Sequence, residues 1–228
     1  MKKIVVSFSG GKDSTLGLHR LLQSNEWQID SLLTTFSQES HRTSSHQVRE
    51  ELIEQQAAAL GIPLRKVYLP DNSTNEEYEH AMGEAFQQIF EAGATHIMFG
   101  DIHLQDLKEY REIMVHKFSL EAVFPLWGES TESIMAEFLY IGFKTVVTAV
   151  DGTRLDTSFA GRTIDDHFLS DLPFGVDRCG ENGEFHTFVF DGPIFARPIN
   201  FKTPEKLIKT IDANTGKERF YYVDLLPG

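Results

Sequence analysis

Along the first half of the chain, short β-branched runs alternate with stretches whose apolar residues recur every three or four positions. Lys2-Lys3-Ile4-Val5-Val6-Ser7-Phe8 is apolar and short, as a strand in a buried parallel sheet should be. Leu16, Leu18, Leu21 and Leu22 follow at near-helical spacing. Residues 29–35, 64–69, 95–99 and 122–126 read as further strands, with Pro125 at the end of the last. Between them the pattern predicts a helix over 47–60, stopped by Gly61. A second helix carries the stripe Tyr78, Met82, Ala85, Phe86 and Ile89, with Thr74 or Asn75 as its cap and Gly93 as its end. A third carries Asp106, Arg111 and Glu112 to about Ser119. Strands alternating with helices predict an α/β unit, a doubly wound parallel sheet of five strands.

The texture changes after Trp127. A helix over 131–141 and a strand over 144–150 are followed by a short helix near 163–169 and a glycine-rich loop over 174–183. Alternating strands are then predicted over 184–190, 194–199, 207–212 and 219–225, with turn signals at Asp191-Gly192 and Asn214-Thr215-Gly216. The second half is therefore a smaller α+β unit with a partly antiparallel sheet. The boundary is placed near Gly128, giving units 1–128 and 129–228.

Composition narrows the function class. Hydrophobic residues make up 41% of the 228 and charged ones 24%, the balance of a folded globular chain. No apolar run approaches the ~20 residues of a membrane span, and the start does not read as a signal peptide. The single cysteine, Cys179, rules out an internal disulfide framework and cysteine-rich metal sites. A cytoplasmic setting is expected. With 34 acidic against 21 basic residues and a net charge of −13, the chain is not expected to bind nucleic acid, although a local basic patch can exist within such a balance.

The candidate chemistry begins at Ser9-Gly10-Gly11-Lys12-Asp13-Ser14, between the first strand and the first helix. Glycines there let the backbone bend and let an anion approach its amides. The helix N-terminus adds unpaired N–H groups and partial positive charge, Lys12 a full charge, and Ser9 and Ser14 hydroxyls. The physical reading is a phosphate cradle. It is not the common P-loop, because Asp follows the Lys and no Gly sits five residues before Gly11. It resembles the PP-loop, Ser-Gly-Gly-x-Asp-Ser, of the N-type ATP pyrophosphatases. That resemblance implies that the turn holds the β- and γ-phosphates of ATP and that cleavage yields AMP and pyrophosphate.

Three other places carry polar groups where a sheet's ligand crevice should lie. The loop from Phe36 to His46 holds His41, Arg42 and His46, which either reach phosphate or stay solvated. Gly100-Asp101 ends the fourth strand, as a ligand-facing pair or a plain turn. The run Cys179-Gly180-Glu181-Asn182-Gly183-Glu184-Phe185-His186-Thr187 crowds two carboxylates, a His and a Thr into one turn, an ordinary acidic hairpin being the alternative. No partner His for Cys179 is legible from spacing, so an inert thiol is expected.

Ser9 to Ser14, Gly100-Asp101 with Arg111, Pro125-Leu126-Trp127 and Gly183-Glu184-Phe185-His186-Thr187 together resemble the diphthine–ammonia ligase family, over essentially the whole chain. The resemblance implies a nucleotide-binding domain followed by a smaller substrate domain, and an amide-forming reaction using ATP and ammonia. It places Glu184 against the nucleotide. Eukaryotic members can be longer; this chain, ending at Gly228, is expected to carry no further domain. It departs from the family in three ways: Glu-Phe-His-Thr stands for the usual Glu-Tyr-Glu-Thr, Asp101 follows Gly100 in place of alanine, and a Tyr-Gln is missing around Leu107-Lys108. These features resemble a short bacterial-type branch.

The expected mechanism has Mg2+–ATP on the turn from Ser9 to Ser14, with Asp13 helping to place the metal. A substrate carboxylate is adenylated, and ammonia displaces AMP. Gly100 lines the nucleotide, and Asp101, Arg111, Glu184 and His186 handle substrate and ammonia, Arg111 either forking onto an anion or lying as a surface arginine. Ammonia comes from solution or a partner, and the reading allows a homodimer. The competing readings are a tRNA-modifying PP-loop enzyme and a non-catalytic ATP sensor.

Overall fold

The computed structural model describes residues 1–44, 46–204, 207–211 and 218–228. Its first half runs β1 (Lys2–Ser7), α1 (Lys12–Ser24), β2 (Trp27–Ser37), α2 (Glu50–Leu60), β3 (Leu64–Leu69), α3 (Asn75–Glu91), β4 (His96–Met98), α4 (Gln105–His116) and β5 (Glu121–Val123). The five strands form one parallel sheet in the order β3-β2-β1-β4-β5. Strand periodicity sends alternate residues of β1 to opposite faces. Ile4 and Val6 pack with Leu16, Leu18, Leu52 and Ile53 of α1 and α2. Val5 packs with Met82, Phe86 and Ile89 of α3 and Met114 and Val115 of α4. The strand order reverses between β1 and β4, and the crevice beyond their C-terminal ends is where open α/β sheets hold ligands.

Helix ends follow their local chemistry. Thr74 and Glu77 form a reciprocal capping box at the start of α3, and Gly61 ends α2 in the left-handed region at φ 67°. The expected helix start at 47 moves to Glu50, because Gln47 takes φ 55° and cannot enter a right-handed helix.

The second half runs α5 (Thr131–Ile141), β6 (Lys144–Asp151), α6 (Asp166–Asp171), β7 (Phe185–Asp191), β8 (Phe201–Lys202), β9 (Leu207–Ile211), β10 (Glu218–Val223) and β11 (Leu226–Pro227). An antiparallel sheet has the order β7-β6-β10-β9, and β11 pairs with β8. The strand expected over 194–199 is absent. Pro198 withholds a backbone donor from that run and Pro193 stands just before it, and the amides of the run serve isolated contacts instead, Ala196 N to Ala59 O at 2.8 Å and Ile199 N to Phe190 O at 2.7 Å. The short helix starts later than expected, at Asp166, where the Asp165 side chain accepts from Phe168 N. The turn at Asn214-Thr215-Gly216 lies outside the described residues.

Gly128 falls between β5 and α5, but the hydrophobic core does not stop there. One buried cluster joins Ile4, Val6, Leu16 and Leu52 to Phe138, Phe143, Val146 and Phe188. Arg20 of α1 donates to Pro125 O at 2.8 Å and pairs with Glu129 and Glu137. Arg42 and Arg49 both reach Asp224 at 2.7 Å. The two halves thus share an apolar core and polar ties at its rim. Among the described residues no helix is long and apolar enough to cross a membrane.

Candidate active site

The turn between β1 and α1 is set by contacts only glycine allows. Gly10 sits at φ 79°, and a Cβ there would lie 2.5 Å from Ile53 Cδ1. A Cβ on Gly11 would lie 2.4 Å from His46 Cε1. Gly11 is also the N-cap of α1 and brings no capping side chain of its own; Thr187 takes the Lys12 amide, and the amides that follow in the first turn are left for an anion. Ser14 Oγ accepts from Ser9 N and Ser9 Oγ accepts from Gly11 N, each at 3.3 Å. A Cβ on Gly100 would lie 3.0 Å from Ser14 N, which lets the end of β4 run against the start of α1.

Lys12 is buried and donates through Nζ to both carboxylate oxygens of Asp13 at 2.7 Å. Burial alone would lower its pKa, but Asp13, with smaller contributions including Glu181, offsets that and holds the ammonium charged.

The opposite wall comes from the second half. Asp177 organises it: Oδ1 accepts from Cys179 N at 2.8 Å and Glu181 N at 3.1 Å, and Oδ2 from Thr131 Oγ1 at 2.6 Å. Glu184, expected to meet the nucleotide, is turned inward. It is 2% exposed and accepts from Asp177 N at 3.2 Å, Asn182 N at 3.0 Å and Asn182 Nδ2 at 3.2 Å. The carboxylate that faces the cleft is Glu181. Its Oε1 accepts from Ile102 N at 3.1 Å, and its Oε2 has no protein hydrogen-bond partner among the described residues. Burial and then the charge of Asp13 raise the Glu181 pKa. Gly183 lies between the two glutamates at φ 84°. An Asn-Gly pair marks a turn in the sequence but does not say which carboxylate is buried.

His186 lines the cleft as expected, and His46 joins it. Their rings lie 4.8 Å apart. His46 Nδ1 is 2.8 Å from Thr187 O; a carbonyl only accepts, so the proton sits on Nδ1. Burial, followed by His46 and Lys12, pushes His186 down to about 3, and burial lowers His46 too. Both imidazoles are neutral near pH 7. Thr187 Oγ1 accepts from Lys12 N at 3.1 Å, so β7 touches the phosphate turn directly. Of the other loop candidates, His41 pairs with Glu50 at the exposed rim and Arg42 with Asp224.

Asp101 and Arg111 face each other, Oδ2 to Nε at 2.7 Å, and the guanidinium lies 4.6 Å from the Phe99 ring centre. Beyond them the cleft opens over Leu33, Tyr78, Met82, Phe86 and Met114, and its volume is about 530 Å3. Cys179 is buried and donates to Thr131 O, with its thiol pushed up to about 12 by burial, so it is no nucleophile at neutral pH. No group of three or more His, Cys, Asp or Glu side chains is arranged to hold a metal ion among the described residues.

Two family models cover most of the chain. The diphthamide synthase N-terminal domain matches residues 1–121 and the diphthamide synthase C-terminal domain matches residues 130–219. The chain belongs to the diphthamide synthase family. Within it, the chain is 25% identical to diphthine–ammonia ligase of Homo sapiens, over 92% of this chain and 87% of that protein. It is 26% identical to the Rattus norvegicus protein of the same name, with the same coverage. A predicted subunit of tRNA methyltransferase from Methanocaldococcus jannaschii overlays on 63% of this chain and 77% of its own at 14% identity, with a TM-score of 0.41, too loose to bear on function. The phosphate turn lies in the part matched by the N-terminal model, and Glu181, Glu184, His186 and Thr187 lie in the part matched by the C-terminal one.

Proposed function

We propose that this member of the diphthamide synthase family is an ATP-dependent carboxylate–ammonia ligase that forms AMP. The observation that carries the reading is the joint between its two walls. The phosphate turn and the loop bearing Glu181, His186 and Thr187 line one cleft and meet at the Lys12–Thr187 hydrogen bond. The relatives' name, diphthine–ammonia ligase, supports ammonia as one of the two partners joined, and a carboxylate as the other is part of the proposal.

ATP places its β- and γ-phosphates on Ser9 to Ser14, and the apolar chamber beside Phe99 receives the adenosine. Asp13 could offer one carboxylate to a magnesium counter-ion of the nucleotide once Lys12 turns to phosphate, and the ion would offset phosphate charge there. A substrate carboxylate oxygen attacks the α-phosphorus, and pyrophosphate leaves with the electron pair of the broken P–O bond. Lys12 and the amides of α1 offset the charge on that leaving group. Ammonia then attacks the acyl carbon, the C–O bond to AMP breaks, and Glu181 accepts the proton lost by nitrogen as the amide forms.

The acyl substrate is proposed to be a carboxylate without a fixed cation. Diphthine carries a trimethylammonium group, which favours an acidic neighbour. Here His186 is neutral, the charge of Asp101 is taken up by Arg111, and Glu181, whose pKa is raised by burial, is given to the ammonia proton. The test supplies MgATP and ammonium to purified protein with a panel of carboxylic acids and, in parallel, with diphthine-bearing elongation factor. AMP and pyrophosphate with an amidated small acid are expected. ADP and phosphate in place of AMP and pyrophosphate would overturn the AMP-forming reading, no amide from any acid would overturn the ligase reading, and efficient amidation of the elongation factor would overturn the substrate reading.

A further inference from the structure

Gln56 of α2 is a polar side chain with no exposure at all. Its Nε2 donates to two main-chain carbonyls from distant parts of the chain, Gly10 O at 3.0 Å and Val189 O at 2.6 Å. Those two acceptors require the amide nitrogen on that side, and Oε1 is left buried without a hydrogen-bond partner. The Gly10 carbonyl also accepts from Val189 N at 2.9 Å. One peptide unit of the phosphate turn is therefore held at its carbonyl end by two donors, one from α2 and one from β7.

That arrangement has a directional consequence. In a planar trans peptide the C=O and the following N–H point opposite ways. With the Gly10 carbonyl drawn into the protein, the Gly11 N–H faces away from that anchor, and its protein partner is the Ser9 hydroxyl at 3.3 Å. Gly10 has no side chain to limit the rotation of this unit, so the anchor does so. A buried amide with an unmatched oxygen is costly, and an apolar side chain of the same shape would avoid that cost. Retention of the amide at this depth fits a task other than filling space.

We infer that Gln56 is a positioning residue for phosphate binding. It locks the Gly10–Gly11 peptide with its N–H towards the bound phosphates, and it ties that peptide to β7, which carries His186 and Thr187. The inference rests on the nucleotide reading above and adds to it a residue that touches neither nucleotide nor acyl substrate.

The experiment measures the affinity of MgATP and of adenosine, which lacks phosphates, by calorimetry on the full chain and on Gln56→Met. A lock acting through the phosphate turn raises the Kd for MgATP roughly tenfold and leaves that for adenosine within about twofold. It also speeds hydrogen exchange at the Gly11 amide. A side chain that merely fills the core changes both affinities together or neither, and either result overturns the proposal. If Gln56→Met does not fold, Gln56→Asn, which keeps the amide but is too short to reach both carbonyls, must show the same split between ligands; an unsplit result there overturns it as well. Wild-type protein that binds no MgATP would overturn the nucleotide reading itself, which is a separate outcome from equal binding by the two proteins.

Discussion

The phosphate turn and the loop over 177–187 are both short, glycine-bearing and polar, yet they are built on different principles. The turn presents backbone. Its donors belong to the first turn of α1, whose N-cap glycine brings no side chain, and its Gly10 carbonyl is held by Gln56 and Val189 from outside it. The loop presents side chains, and its shape comes from carboxylates inside it. Asp177 and Glu184 accept five backbone or side-chain N–H groups of the same loop, from Cys179, Glu181, Asp177, Asn182 and the Asn182 amide. A buried acid that organises a loop and an acid that lines the cleft can therefore stand three residues apart in one motif.

The comparison breaks most sharply at Lys12. Lys12→Ala should lower pyrophosphate release by roughly 10²-fold or more, on the scale of losing one preorganised charge at a leaving group. A variant retaining a third of wild-type turnover would mean that the turn acts through its amides alone.

The two glutamates sharpen it next. Glu181→Gln should cut ammonia-dependent amide formation by about 10²-fold while the melting temperature moves by about a degree. Glu184→Gln should do the reverse. It replaces a buried acceptor of three N–H groups, and a loss of about 1–3 kcal/mol lowers the Tm by several degrees. Calorimetric melts and product assays on the two variants decide it, and the same loss profile in both would erase the distinction drawn here.

The last test concerns pH dependence. His186 is held near 3 in the folded protein against an ordinary 6.5, and burial is the main cause. Between those values the unfolded chain binds a proton that the native state refuses, so stability rises with pH across the window and is lost as pH falls from about 6.5 towards 3. His46, lowered in the same direction, adds to the slope. Urea unfolding from pH 7 to pH 4 should show this decline, and His186→Gln should flatten it. An unchanged slope in the variant would place the acid sensitivity elsewhere.

Much of the architecture was legible before any coordinates. Runs such as 2–8 and 64–69 are too short and too β-branched for helices, and the stripe from Tyr78 to Ile89 fits only a helix, so the alternation pointed to a parallel sheet. The motif from Ser9 to Ser14 was legible because a phosphate cradle is local, a strand end, a glycine pair and a helix start in sequence. The absence of the strand expected over 194–199 has a local cause as well, since the run is largely apolar while Pro198 removes an amide that pairing needs.

What the tertiary structure alone decided is which distant groups meet. Nothing in the spacing of Gln56 marks it as the anchor of Gly10, 46 positions away. Nothing in the loop over 36–46 separates His46, which reaches the cleft, from His41, which stays at the rim. The choice between Glu181 and Glu184 turned on which carboxylate found backbone donors inside the folded loop. Periodicity and local motifs follow from the short-range geometry of the chain, so sequence alone determines them. The burial that raises Glu181 and lowers His186, and the pairing that takes up the charge of Asp101, depend on elements brought together only by packing.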